Sequence, residues 1–186
     1  GRYQPNPSTQ DVSVTVMQVV ALRAANNAEV PVPQKTIDNA VKYIKSCAHP
    51  KGGFGYQSPA QRPPTTAAGI LSLQLLGHYD DPTVIKALDW MSTLPVKWST
   101  AGGIRYYYYF HYYAIQGNYQ AGGKYWTQWH PRVREMLLEK QREDGSWNLP
   151  GGSEGAGVVG RNRVYWTAMA SLILEVYMHF LPAYQR

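Results

Sequence analysis

A chain of 186 residues is one domain's worth, residues 1–186, long enough to bury a substantial core, and it carries a formal charge of +6. Fifteen tyrosines and six tryptophans stand against only 16% charged residues, and the cations are scattered, so a basic track for nucleic-acid phosphates is excluded. The single cysteine, Cys47, excludes an intrachain disulfide, and no apolar run reaches the ~18 residues that cross a bilayer.

The chain opens GRYQPNPSTQ, with no initiator Met and no signal-peptide pattern, and so reads as a processed product or an excised piece; the compartment stays open. From residue 8 to 27, Val12, Val14 and Val16 alternate like a strand. Val16, Val20 and Ala24 nevertheless share a helical face with Met17 and Ala21, and the segment is expected to be a helix capped by Ser8 or Thr9. Pro31 and Pro33 end it. In PQKTIDNAVKYIKSCA, the residues Ile37, Val41, Ile44 and Ala48 step by three or four, which predicts an amphipathic helix with Lys35, Lys42 and Lys45 outward.

After the loop around GGFGYQSPAQRPP, TTAAGILSLQLLG is apolar nearly all round and is expected to be a helix buried on both sides, stopping at Gly77. HYDDP then reads as a cap, with Asp80 and Asp81 opening a helix that turns Val84, Leu88, Met91 and Leu94 inward. YYYYFHYYAIQGNY predicts a second buried helix, and VREMLLEKQ an amphipathic one closed by DGSW. The glycine-rich PGGSEGAGVVG leads to a last helix on which Tyr165, Met169, Leu172, Val176 and Phe180 are spaced by three or four.

Buried helix, amphipathic helix and glycine-rich loop therefore recur, with an irregular period of ~40 to 60 residues. TTAAGILSL and WTAMASLIL match in placing Thr-Ala, then a small residue (Gly69, Ala170), at corresponding steps. The expected class is all-α: about three to four antiparallel helix hairpins in a two-layered arc, buried helices inside and amphipathic helices outside.

KQREDGSW (140 to 147) resembles the glutamine-tryptophan repeat of squalene cyclases. CAHPKGGFGYQSPAQRPPTTAAGILSLQLLG resembles the corresponding repeat of protein prenyltransferase β subunits. Most of residues 8 to 182 share the joint pattern, and the end VYWTAMASLILEVYMHFLPAYQR is similar to bacterial proteins carrying such repeats. The resemblance implies an α/α toroid of the terpenoid cyclase and prenyltransferase superfamily, here a partial ring because the hairpins are too few to close one. It also implies a structural role for Gly52, Gly53, Phe54, Gln141, Gly145 and Trp147: Gln141 bonds backbone at a helix end, and the aromatic covers that end.

The chemistry of that superfamily is not matched. No D-x-D-D acid motif and no DDxxD element is present, and Lys45 stands two residues before Cys47 where a zinc-binding prenyltransferase would place Asp. His49, His78, His111, His130 and His179 are dispersed, so no metal and no cofactor is expected. The aromatic run does offer a binding surface: Tyr106, Tyr109, Phe110 and Tyr113, joined by Tyr165 and Trp166, are expected to line a concave wall.

Three readings follow. The first is a non-catalytic domain that holds a hydrophobic, isoprenoid-like molecule or a protein partner. The second is an enzyme or enzyme fragment whose acid or metal site is lost or lies elsewhere, and the third a purely structural repeat. An open arc would also expose inner-helix apolar surface and favour self-association.

Overall fold

The structure, a computed structural model, describes residues 9–152, 154 and 162–178. Among these it is helical, with no β-strand beyond an isolated bridge between Ala48 and Phe54. Seven α-helices follow in order: α1 (Val12–Asn27), α2 (Gln34–Ser46), α3 (Pro63–Leu75), α4 (Pro82–Ser92), α5 (Tyr107–Ala121), α6 (Gly123–Lys140) and α7 (Asn162–Leu174), with a 3-10 turn at Val176–Met178.

The packing is two-layered. α3 lies between α1 and α5, and α7 packs on the far side of α5, so the odd-numbered helices form one row. α2 and α4 pack on α3, α6 packs on α5, and α4 also meets α6, so the even-numbered helices form the second row. Composition explains the division. Every residue of α3 from Pro63 to Leu75 is buried, as its all-round apolarity requires. α4 and α6 bury only one face each, Val84, Leu88 and Met91 on the first and Trp129, Val133 and Leu137 on the second. In the inner row, small residues set the spacing. A Cβ on Gly117 would sit 3.0 Å from the Ile70 side chain, and the Gln74 amide donates to the Gly117 carbonyl at 3.0 Å, tying α3 to α5.

Several sequence expectations are corrected. The cap of α1 is Asp11, whose carboxylate accepts from the Val14 N–H at 3.0 Å; Thr9 is exposed outside the helix, and Ser8 lies outside the described residues. Asp81 alone caps α4, accepting from the Thr83 N–H at 2.8 Å, while Asp80 is exposed. Burial opposes the Asp81 charge, but its bonds to Lys45 and Thr83 prevail and hold its pKa below the usual carboxylate value. α2 ends at Ser46, so Ala48 falls beyond it. α6 begins at Gly123, well before VREMLLEKQ, because the left-handed Gly122 and Gly123 (φ 66° and 48°) turn the chain straight from α5 into α6. Pro131 sits on its exposed face, inside the helix. On α7 the buried residues are Ala170 and Ile173, whereas Tyr165 and Leu172 are exposed; Phe180 lies outside the described residues.

Two copies of one clasp join the hairpins. In the first, the His49 N–H donates to the Gly53 carbonyl and the Gly52 N–H to the His49 carbonyl, both at 2.9 Å. In the second, the Arg142 N–H donates to the Ser146 carbonyl and the Gly145 N–H to the Arg142 carbonyl, again at 2.9 Å. Gly52 and Gly145 supply the left-handed residue of each turn, at φ 89° and 79°. The aromatic residue that follows then donates its N–H to a threonine hydroxyl in the N-terminal half of the next inner helix: Phe54 to Thr66 at 2.9 Å, Trp147 to Thr167 at 3.2 Å. Thr66 and Thr167 hold the same place in TTAAGILSL and WTAMASLIL.

Both rings are buried. Phe54 lies so close to α3 that a Cβ on Gly69 would come within 2.6 Å of its ring, and the Trp147 indole N–H donates to the Leu137 carbonyl of α6 at 2.7 Å. Gln141 closes the second turn, its amide donating to the Gly145 carbonyl at 3.0 Å.

Candidate functional site

The N-terminal ends of α1, α3 and α5 converge on a cleft of about 770 Å³. Ser13 of α1, Pro63, Pro64 and Thr65 of α3, and Tyr109 of α5 contribute from the helices; Tyr106 stands just ahead of α5. Tyr56, Gln61 and Arg62 come from the loop after the first clasp, Gly102, Gly103 and Arg105 from the loop before α5, and Trp90 from α4. Its lining is therefore four aromatic rings and two prolines, with hydroxyl, amide and guanidinium groups between them.

Local chemistry makes the walls stiff. Pro63 and Pro64 start α3 where a missing N–H costs nothing, and their fixed φ suits the first turn. Gly103, left-handed at φ 83°, lets the loop close on α3; a Cβ there would lie 3.4 Å from Pro63. The Gln61 amide donates to the Gly52 carbonyl at 3.0 Å, which anchors the cleft to the clasp. Tyr109 spans from α5 to α1 by donating its hydroxyl to the Ser13 carbonyl at 3.3 Å.

The aromatic residues singled out from the sequence divide. Tyr106 and Tyr109 line the cleft, Tyr106 about half exposed. Tyr113 is buried directly behind, edge-on to Tyr109 with ring centroids 4.6 Å apart. Phe110 is fully buried and faces the outer row, edge-on to Trp129 of α6 at 6.0 Å. One residue's step around a helix is about 100°, enough to carry Phe110 off the face that Tyr109 and Tyr113 share. Tyr165 and Trp166 lie on α7 and are absent from the cleft lining. From α3 the cleft is lined by Pro63, Pro64 and Thr65 at the N-terminal end, while the rest of that helix is buried among its neighbours.

Tyr165 and Trp166 instead meet Glu154, which sequence reasoning had not singled out. Its carboxylate is buried, 3% exposed, and accepts from the Tyr108 and Tyr109 N–H groups at 2.7 Å each and from the Tyr165 hydroxyl at 3.1 Å. The Trp166 indole donates to the Glu154 carbonyl at 3.1 Å. α5 has no capping side chain of its own, so a carboxylate from the glycine-rich loop takes its orphan N–H groups and ties it to α7. Burial raises the Glu154 pKa, and the backbone and Tyr165 hydrogen bonds only partly offset that.

Among the described residues no group of three His, Cys, Asp or Glu side chains could hold a metal ion, and no helix is long and apolar enough to cross a membrane. Cys47 is a buried free thiol. Among the described residues that line the cleft there is no carboxylate, imidazole or thiol, and their chemistry is apolar contact, hydrogen bonding and positive charge. No known protein family, curated protein or solved structure matches this chain.

Proposed function

We propose that this protein is a non-catalytic binding domain, built on the repeat plan of the prenyltransferase and squalene cyclase toroids, that holds a hydrophobic, isoprenoid-like small molecule in the cleft at the N-terminal ends of α1, α3 and α5. One observation carries the reading: a cavity of about 770 Å³ walled by Tyr56, Trp90, Tyr106, Tyr109, Pro63 and Pro64. Ligand cavities typically run to roughly 300–1,000 Å³ with apolar walls and a few placed polar groups, and this cleft has both features. Metal-assisted ionisation or protonation by a carboxylic acid would need carboxylate or imidazole side chains in the wall, and the described lining residues include none.

Farnesol titration tests this. Trp90 lies in the wall, so its fluorescence should change saturably, the change should disappear in Trp90→Phe, and Tyr106→Ala with Tyr109→Ala should weaken binding about tenfold, as loss of aromatic contact area predicts. A linear, non-saturating response would favour the purely structural reading. Product formed by this chain alone from squalene or a prenyl diphosphate would replace binding with catalysis.

A further inference from the structure

The two clasps share a backbone pattern, yet only the first is built into the cleft. Tyr56, just beyond it, lines the cleft, and its carbonyl accepts from the Val12 N–H at 2.9 Å, beside Ser13. The Gln61 amide donates to the Lys51 and Gly52 carbonyls at 3.3 and 3.0 Å. The Thr65 hydroxyl donates to the Phe54 carbonyl at 2.7 Å. Gly52 lies against the turn of α4 that carries Trp90: a Cβ on it would stand 3.1 Å from the Trp90 Cβ and collide with the Lys86 carbonyl. Gln61, Thr65 and Trp90 are lining residues like Tyr56 and Ser13, so the turn touches or bonds several separate stretches of the wall.

The second clasp provides a contrast within the same molecule. None of residues 142–147 lines the cleft, and neither does Thr167, which accepts from the Trp147 N–H.

Resting on the reading of this cleft as a ligand site, we infer that the first clasp is a positioning element of that site, with Phe54 and Thr66 as its positioning residues. Neither residue lines the cleft. The Phe54 N–H, held by the Thr66 hydroxyl at 2.9 Å, fixes the turn whose carbonyls in turn fix the Gln61 amide and the Thr65 hydroxyl. Closure of this turn and occupation of the cleft are then linked equilibria: whatever factor closure adds to affinity, the bound ligand returns to closure.

A matched pair of substitutions tests this. Thr66→Val and Thr167→Val each remove the hydroxyl that accepts the aromatic N–H of one clasp, with little change of shape. In farnesol titrations followed by tryptophan fluorescence, at a temperature where both variants are folded, Thr66→Val should weaken binding about fivefold, as loss of one hydrogen bond from the closed turn predicts. Thr167→Val should leave the affinity within about twofold of the native value, its site being remote. Hydrogen exchange on the native protein reads the reverse direction: saturating farnesol should slow exchange through local opening about fivefold at the Gly52, Phe54 and Gly55 amides and leave Gly145 and Trp147 unchanged. Should Thr66→Val fail to fold, the exchange experiment decides by itself. Equal effects of the two substitutions on affinity, or equal protection of the two clasps, overturn the positioning role and leave the cleft standing as a ligand site. No saturable response of the native protein overturns the cleft as a ligand site, and this inference with it.

Discussion

His111 lies on the face of α5 that meets α6, fully buried among Tyr107, Phe110 and Trp129, with centroid separations of 4.6, 4.9 and 6.3 Å. Neither ring nitrogen has a hydrogen-bond partner among the described residues. Burial drives its pKa down to about 3, so the imidazole stays neutral in the fold while the unfolded chain takes up a proton below its ordinary value near 6.5. Because the unfolded state then binds more protons, stability falls as pH drops from 6.5 toward 3, by up to about 1.4 kcal/mol per pH unit. His111→Leu removes both the unmet polar atoms and the titration. It should stabilise by about 1 kcal/mol at pH 7, and by roughly 2 kcal/mol more at pH 5, in urea unfolding. A gap that does not widen with acid would mean the ring is hydrated or hydrogen-bonded.

At the scale of elements, the clasps make the fold cumulative: each aromatic covers the end of one hairpin and bonds a threonine in the N-terminal half of the next inner helix. The two copies share backbone geometry but differ in surroundings, and this separates two costs. At Gly145, a Cβ meets nothing within 4 Å, so Gly145→Ala should cost only the strain of a left-handed residue, roughly 1–2 kcal/mol. At Gly52, the same Cβ would be driven onto the Lys86 carbonyl of α4, besides requiring φ 89°. Gly52→Ala should therefore be the more damaging, by several kcal/mol, in thermal unfolding of the paired variants. Equal losses would deny the close contact of the first clasp with α4.

Glycine, an aromatic residue and a Thr-Ala helix in sequence sufficed to read these clasps, because each is local in the chain. The start of α6 escaped the same reading: KYWTQWHP shows no clean apolar stripe, and Pro131 looks like a boundary although it sits on an exposed helix face.

For the whole molecule, legibility follows the range of the interaction. The all-apolar TTAAGILSLQLLG had to be central, and α3 is buried throughout. The layering followed from alternating buried and amphipathic helices. The cleft could not be read in that way, since Ser13, Arg62, Trp90 and Arg105 come from four separate stretches with no common period. Glu154 escaped for a related reason, as it caps a helix that begins 47 residues earlier, at Tyr107.

The row of inner helices has two ends. α1 exposes Met17 (58%), and α7 with its following turn exposes Val164 (77%), Leu172 and Met178. Among the described residues, these exposed apolar side chains of the inner helices lie at the two ends of the row. Under the proposed function the ligand enters the cleft at the helix N-termini, and the apolar flank of α7 is the contrasting surface against which that is tested.

An amide chemical-shift titration of the ¹⁵N-labelled protein with farnesol distinguishes them most directly. The account predicts saturable shifts concentrated at Ser13, Thr65, Gly102, Gly103 and Tyr109, with Val164 and Leu172 unmoved. Shifts gathered on α7, or none at saturation, would contradict it.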